Sequence, residues 1–281
     1  DVYKRQYMDS FLNLRPKIEI ILNIDSDHLD YFKDIDHIVN SFDKFAKLVP
    51  GEGLIVAYEA NPFVNQVIKN LDNAVTFGLN ENCTYGGDNV VFNEKGLPAF
   101  DVKKEGRLLC RVQLSVPGEH NILNALAAFA CCHSLGISTG VIKETLEAYH
   151  GTQRRFDIVG TTASGVKIVD DYAHHPTEIK ATLAACQNIP HNKLWCVFQP
   201  HTYTRTLALF DEFADAFEKA DELVLAEIYA AREKNIYKIS SAQLADKIKE
   251  SHPDKKVTFM QDFNSIADYV EGSADKGDLV L

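Results

Sequence analysis

The chain has 281 residues, 46% apolar and 25% charged, the balance of a soluble globular protein long enough for two ordinary domains. Twenty-nine basic against forty acidic residues give a formal charge of −11, which speaks against nucleic acid or an anionic membrane as the main partner. No apolar run approaches the ~20 residues of a membrane helix, and no signal peptide is evident. The six cysteines form no C-x-x-C pair and read as reduced core residues, so the expected location is the cytoplasm.

Residues 1–6 are charged and patternless, whereas Tyr7 onward reads as the middle of a domain. Ile18 to Ile24 is a short apolar run of the buried parallel-strand type and ends in the polar loop Asp25-Ser26-Asp27-His28. Helical spacing from Ile35 to Leu48, a strand at Leu54 to Ala57, a proline-started helix at Pro62 to Leu71 and a strand at Ala74 to Phe77 complete a β-α-β-α-β series. Three β-like runs follow: Tyr85 to Phe92, Leu97 to Lys103 and Arg107 to Leu114. Gly86-Gly87, Asn93 to Gly96 and Glu105-Gly106 supply turns, so a small antiparallel sheet is expected. Helices are expected at Asn121 to Leu135 and Ser138 to Tyr149.

A domain boundary is placed near Gly151, giving domains at 1–151 and 152–281. The second reads as a doubly wound α/β domain. Its strands are expected at Phe156 to Gly160, Val166 to Val169, Leu194 to Phe198, Glu222 to Leu225, Val257 to Met260 and Leu279 to Leu281. Its helices are expected at Thr177 to Cys186, Thr206 to Phe217, Ser241 to Lys249 and Phe263 to Val270. The final strand-like run ends the chain, and truncation at both ends is expected.

Polar clusters stand where strands end or helices begin. In Asp170-Asp171-Tyr172-Ala173-His174-His175-Pro176 two acids, a phenol and two imidazoles follow a strand, where an open α/β sheet binds its ligands. Gln199-Pro200-His201-Thr202-Tyr203-Thr204-Arg205 occupies the same situation and is read as a neighbouring strand end, with His201 and Arg205 facing the crevice mouth of Asp171 and His174. Glu227 to Glu233 either forms a third wall or is an ordinary charged loop. Asp25 to His28 offers oxygen and nitrogen donors suited to Mg²⁺ with bound phosphate, or simply a capping turn. Asn121 and Asn124 lie three apart on a helix's first turn, beside exposed N–H groups that can receive phosphate, ribose or base edges. Arg154 and Arg155 sit at the domain junction, either gripping a phosphate or solvated. There is no phosphate-loop, G-x-S-x-G, H-E-x-x-H or dinucleotide motif.

On these residues the chain resembles the Mur ligases, the ATP-dependent amide-forming enzymes of peptidoglycan synthesis. The matching segments are Tyr7 to Phe11, Asn23 to Tyr31, Pro117 to Asn124, Gly151 to Asp157, Asp170 to Glu178, Gln199 to Arg205 and Ala226 to Asn235. The resemblance implies the remainder of a central ATPase domain followed by a Rossmann-like carboxyl domain, without the amino-terminal domain and phosphate loop. Such a truncated chain is expected to be inactive.

The implied chemistry is activation of the UDP-N-acetylmuramate carboxylate by ATP with Mg²⁺, then attack by the amine of L-alanine. His28 matches the metal-site histidine, whereas Tyr3 and Gln6 stand where the family places acids. Asn121, Asn124 and Arg155 match nucleotide-site residues, and Asp171 an acid that reaches the nucleotide. Tyr172, His174 or His175, His201 and Arg205 match the region that holds the muramyl carboxylate and the amino acid. A muropeptide-recycling ligase that takes a tripeptide, folylpolyglutamate synthetase, and a non-catalytic paralogue are the rival readings.

Overall fold

The computed structural model describes residues 9–27, 31–80 and 82–281. The chain divides into two compact units, one of residues 1–93 and 97–150, the other of residues 94–96 and 151–281.

In the first unit, strands β1 (Ile18–Ile21), β2 (Leu54–Tyr58) and β3 (Ala74–Gly78) pair in parallel. The connections are helices α1 (Ile35–Ala46) and α2 (Pro62–Ile68). Their starts follow from local chemistry. The Asp34 side chain accepts from His37 N at 2.8 Å, and Asn61 accepts from Phe63 N and Val64 N ahead of Pro62. Strands β4 (Tyr85–Phe92), β5 (Pro98–Lys104) and β6 (Arg107–Gln113) form the expected antiparallel meander. It is not a separate sheet: β3 pairs with β4 in parallel through Phe77↔Tyr85 and Gly78↔Gly86, so all six strands run β1-β2-β3-β4-β5-β6.

The alternation of β2 sorts its residues between two cores. Val56 joins Phe77, Tyr85 and Phe129 beneath helix α3 (Glu119–Ser134), while Ile55 and Ala57 join Ile38, Val39 and Val64 beneath α1 and α2. Helix α4 (Thr139–Ala148) contributes Ile142 to the first of these.

The second unit has strand order β11-β10-β9-β12-β8-β7. β7 (Asp157–Thr161) is antiparallel to β8 (Lys167–Asp170), and the other pairings are parallel. Helix α5 (Pro176–Cys186) leads to β9 (Leu194–Phe198), and α6 (Tyr203–Ala208) with α7 (Phe210–Ala214) to β10 (Glu222–Leu225). α8 (Ser241–Ser251), β11 (Lys256–Phe259), α9 (Phe263–Ser273) and β12 (Leu279–Val280) complete the chain. On β9, Leu194, Cys196 and Phe198 pack with Ile179, Phe213 and Leu244, while Trp195 packs with Ile266 on the opposite face. Both faces are therefore covered, as a parallel sheet requires.

Two further details differ from the sequence reading. The single helix expected from Thr206 to Phe217 is two short ones. Leu209 adopts φ −113° and ψ 29°, a break that leaves Leu209 and Phe213 both buried. The strands carrying the Asp171 and His201 clusters are also not adjacent, because β12 lies between β8 and β9. Among the described residues no helix is long and apolar enough to cross a membrane, and all six cysteines are free.

Candidate active site

A cavity of about 530 Å³ opens in the second unit. It takes Asp170 to His174 from the end of β8, Gln199 and His201 from the end of β9, Leu281 beyond β12, and Tyr229 beyond β10. Parallel strands stand ~4.8 Å apart, so the intervening β12 gives the cavity its width. The two clusters still meet across it: the His174 and His201 rings have centroids 6.1 Å apart.

Asp171 is held firmly at the β8 end. Its Oδ2 accepts from Phe156 N at 2.7 Å, and its Oδ1 accepts from Ala173 N at 2.7 Å and Thr182 Oγ1 at 3.3 Å. Three of the roughly four acceptor sites of a carboxylate are thereby used inside this unit. Tyr172 is exposed, and the guanidinium carbons of Arg154 and Arg155 lie 5.3 and 5.4 Å from its ring centroid, within cation–π range. Arg154 also pairs with Asp170 at 3.1 Å and Arg155 with Glu178 at 3.7 Å.

The two adjacent histidines part company here. His174 lines the cavity, its Nδ1 lying 2.9 Å from the Tyr172 carbonyl and 3.4 Å from Glu178 Oε2. His175 is buried and is the N-cap of α5. Its Nδ1 accepts from Thr177 N, and Glu178 reaches back to the His175 backbone N–H. This is a capping box with an imidazole in the usual serine position. His175 does not line the cavity.

On the opposite wall Thr202 adopts φ 65° and ψ 148°, an unfavourable backbone for a β-branched residue. The surroundings hold it there: Thr202 N donates to the Tyr229 carbonyl at 2.9 Å, Thr206 Oγ1 donates to the Thr202 carbonyl at 2.7 Å, and both Thr204 N and its hydroxyl donate to Glu233. Arg205 Nη1 donates to His201 Nδ1 at 3.2 Å. Burial, then the positive charge of Arg205, lowers the His201 imidazole below its ordinary value, which favours the neutral ring. Arg205 stands behind His201 as its donor and is not among the lining side chains.

In the first unit Asn121 Nδ2 donates to the Pro117 carbonyl at 2.7 Å, and Asn124 Nδ2 donates to Asn121 Oδ1 at 3.2 Å. The pair shares one face of α3, but the helix begins at Glu119, so Asn121 lies in its first turn and Asn124 in its second. After β1, Asp25 Oδ1 accepts from Ser26 N, and His28 lies outside the described residues, as do Tyr3 and Gln6. Among the described residues no three His, Cys, Asp or Glu side chains converge as a metal cluster would require.

Family models place these features. Residues 3–132 match the Mur ligase middle domain, and residues 154–281 match the Mur ligase glutamate ligase domain. The chain belongs to the Mur ligase family. It is 47% identical to the UDP-N-acetylmuramate–L-alanine ligase of Caldanaerobacter subterraneus subsp. tengcongensis over 277 residues, which is 98% of this chain and 60% of that protein. It is 48% identical to the ligase of the same name from Clostridium acetobutylicum, with the same shares covered. The crystal structure of UDP-N-acetylmuramate–alanine ligase from Thermotoga maritima superposes with a TM-score of 0.76 at 27% identity, covering 97% of this chain and 57% of that one. The chain thus spans about 60% of the length of the curated relatives it matches.

Within the Mur ligase frame, two features of the site were not singled out from the sequence: Glu178 braces His174 and His175, and Leu281 lines the cavity. From the expected third wall, Glu227 to Glu233, Tyr229 lines the cavity and Glu233 anchors Thr204. Only Glu178 carried a signal, its position at the third residue of a helix behind a cap.

Proposed function

We propose that this chain provides the middle and carboxyl-terminal domains of a cytoplasmic, ATP-dependent ligase that joins L-alanine to UDP-N-acetylmuramate. What carries the reading is identity of 46–48% to ligases of that name across 98% of the chain, together with a polar cavity at the strand ends of the second unit. ATP phosphorylates the muramyl carboxylate, and the amine then displaces phosphate from the acyl phosphate. Phosphoryl transfer asks the protein chiefly for positioning and for cations against developing charge.

In this proposal Asn121, Asn124 and Arg155 serve the nucleotide, with Asp171 as a further contact. Tyr172, His174 and His201 serve the muramyl carboxylate and the amine, and Arg205 acts on them through His201. Mg²⁺ belongs to the loop after β1 through His28; the described residues do not assemble a cation site there, and no step is assigned to the ion.

The test is amide formation by a full-length ligase containing these 281 residues, with ATP and UDP-N-acetylmuramate and either L-alanine or a tripeptide as the amine. Turnover with L-alanine is expected, and exclusive use of the tripeptide would turn the assignment to a recycling ligase. Arg205→Ala, which removes the charged donor that fixes His201, should raise KM for the UDP-sugar by about tenfold, the low end for losing a charged hydrogen bond, with KM for ATP unaltered.

A further inference from the structure

We propose that His174 and His201 are held as opposite tautomers on facing walls of the cavity. His174 Nε2 is then the proton acceptor for the entering amine, and His201 Nε2–H donates to the acyl group under attack. This assignment of roles rests on the ligase reading. The tautomers themselves rest only on hydrogen-bond chemistry.

A carbonyl oxygen cannot donate, so the 2.9 Å contact between His174 Nδ1 and the Tyr172 carbonyl places the proton on Nδ1. The Glu178 carboxylate, 3.4 Å from the same nitrogen, favours that arrangement. A guanidinium cannot accept, so the 3.2 Å contact from Arg205 makes His201 Nδ1 the bare nitrogen, and the neutral ring carries its proton on Nε2. Both rings line the cavity, 6.1 Å apart. With each Nδ1 committed, one wall offers a lone pair and the other an N–H.

Such a pair suits an amine attacking an acyl phosphate. The amine nitrogen bonds to the acyl carbon, and His174 Nε2 takes one N–H proton. The bond from that carbon to the phosphate oxygen breaks, and phosphate leaves with the electron pair. His201 Nε2–H stands opposite to steady the oxygen on which negative charge gathers. Glu178 faces the imidazolium that forms and acts through His174 as a positioning residue.

The tautomers are read from long-range ¹H–¹⁵N spectra of the 281-residue chain labelled with ¹⁵N-histidine at pH 8, assigned with His174→Gln and His201→Gln. The expected signature is Nδ1–H for His174 and Nε2–H for His201. The reverse at either ring overturns the proposal, whatever the enzyme's reaction.

Kinetics of the full-length ligase test the roles. His174→Gln should lower kcat with L-alanine about 100-fold or more, the range for a general base, but lower kcat with hydroxylamine, a weakly basic nucleophile, less than about tenfold. Equal losses with both nucleophiles would refute the role of His174. Glu178→Gln keeps an oxygen for the helix cap, and should lower kcat with L-alanine more than kcat with hydroxylamine; an unaltered kcat, or equal losses with both nucleophiles, would refute the positioning role. If the wild type forms no amide at all, the ligase reading fails, and the spectra still decide the tautomers.

Discussion

The two units each bury a carboxylate, and they treat it in opposite ways. Asp278, just before β12 in the second unit, is 2% exposed, and Glu19, on β1 of the first, is 5% exposed. Asp278 Oδ2 accepts from Trp195 Nε1 at 2.9 Å and Asp275 N at 3.0 Å, and its Oδ1 accepts from Lys193 N at 3.1 Å. Among the described residues neither oxygen of Glu19 has a hydrogen-bond partner, and burial pushes its carboxyl up to about 7. Burial alone therefore does not say what a charge does. The three donors around Asp278 come from two segments, the start of β9 and the loop before β12, and pin the entry of β12, the strand that sets the width of the cavity. Glu19 sits on an edge strand where no described residue gives its carboxylate a donor, so the uncharged form is favoured.

The largest effect should come from breaking the satisfied case. Asp278→Ala leaves an indole N–H and two backbone N–H groups buried without acceptors, and urea unfolding should show a loss of about 3–5 kcal/mol. Asp278→Asn, which keeps an acceptor oxygen, should lose markedly less. Equal losses would mean that the site depends on the charge rather than on the accepted hydrogen bonds.

Glu19 should behave in the opposite sense. Its folded value of about 7 lies above the ordinary 4.5, so its protonated form is compatible with folding below pH 4.5 and stability is lost as pH rises towards 7. Glu19→Gln should therefore stabilise the chain at pH 8 by on the order of 2 kcal/mol and change little at pH 4. A stabilisation independent of pH would contradict this account.

The smallest of the three effects concerns the adjacent histidines. His175→Ala should cost about 1 kcal/mol through the lost helix cap, with His175→Asn recovering most of it. His174→Ala should leave the unfolding midpoint nearly unmoved, since its ring lines the cavity and is not the cap. A larger loss for His174→Ala than for His175→Ala would reverse the assignment of cap and cavity wall.

Much of this molecule was legible in its amino acids. The runs Leu194 to Phe198 and Glu222 to Leu225 are strands with the expected limits, because a fully buried parallel strand must be apolar on both faces. The polar residues after Val169 and Phe198 marked two walls of the cavity, since such clusters have no place in a core. Local pattern did not separate His174 from His175. They differ only in whether the ring turns back onto Thr177 N or lies against the Tyr172 carbonyl, a choice that depends on Glu178 and on the entry angle of α5.

The sequence by itself determined the order of strands and helices, the polar strand ends and the family resemblance, because these rest on periodicity and short spacings along the chain. Tertiary structure alone decided that β12 comes between β8 and β9, that the antiparallel meander continues the parallel strands, and that Arg205 stands behind His201. Each is a pairing between residues far apart in the chain or across a turn, settled by which hydrogen-bond donors meet which acceptors once the sheet has formed.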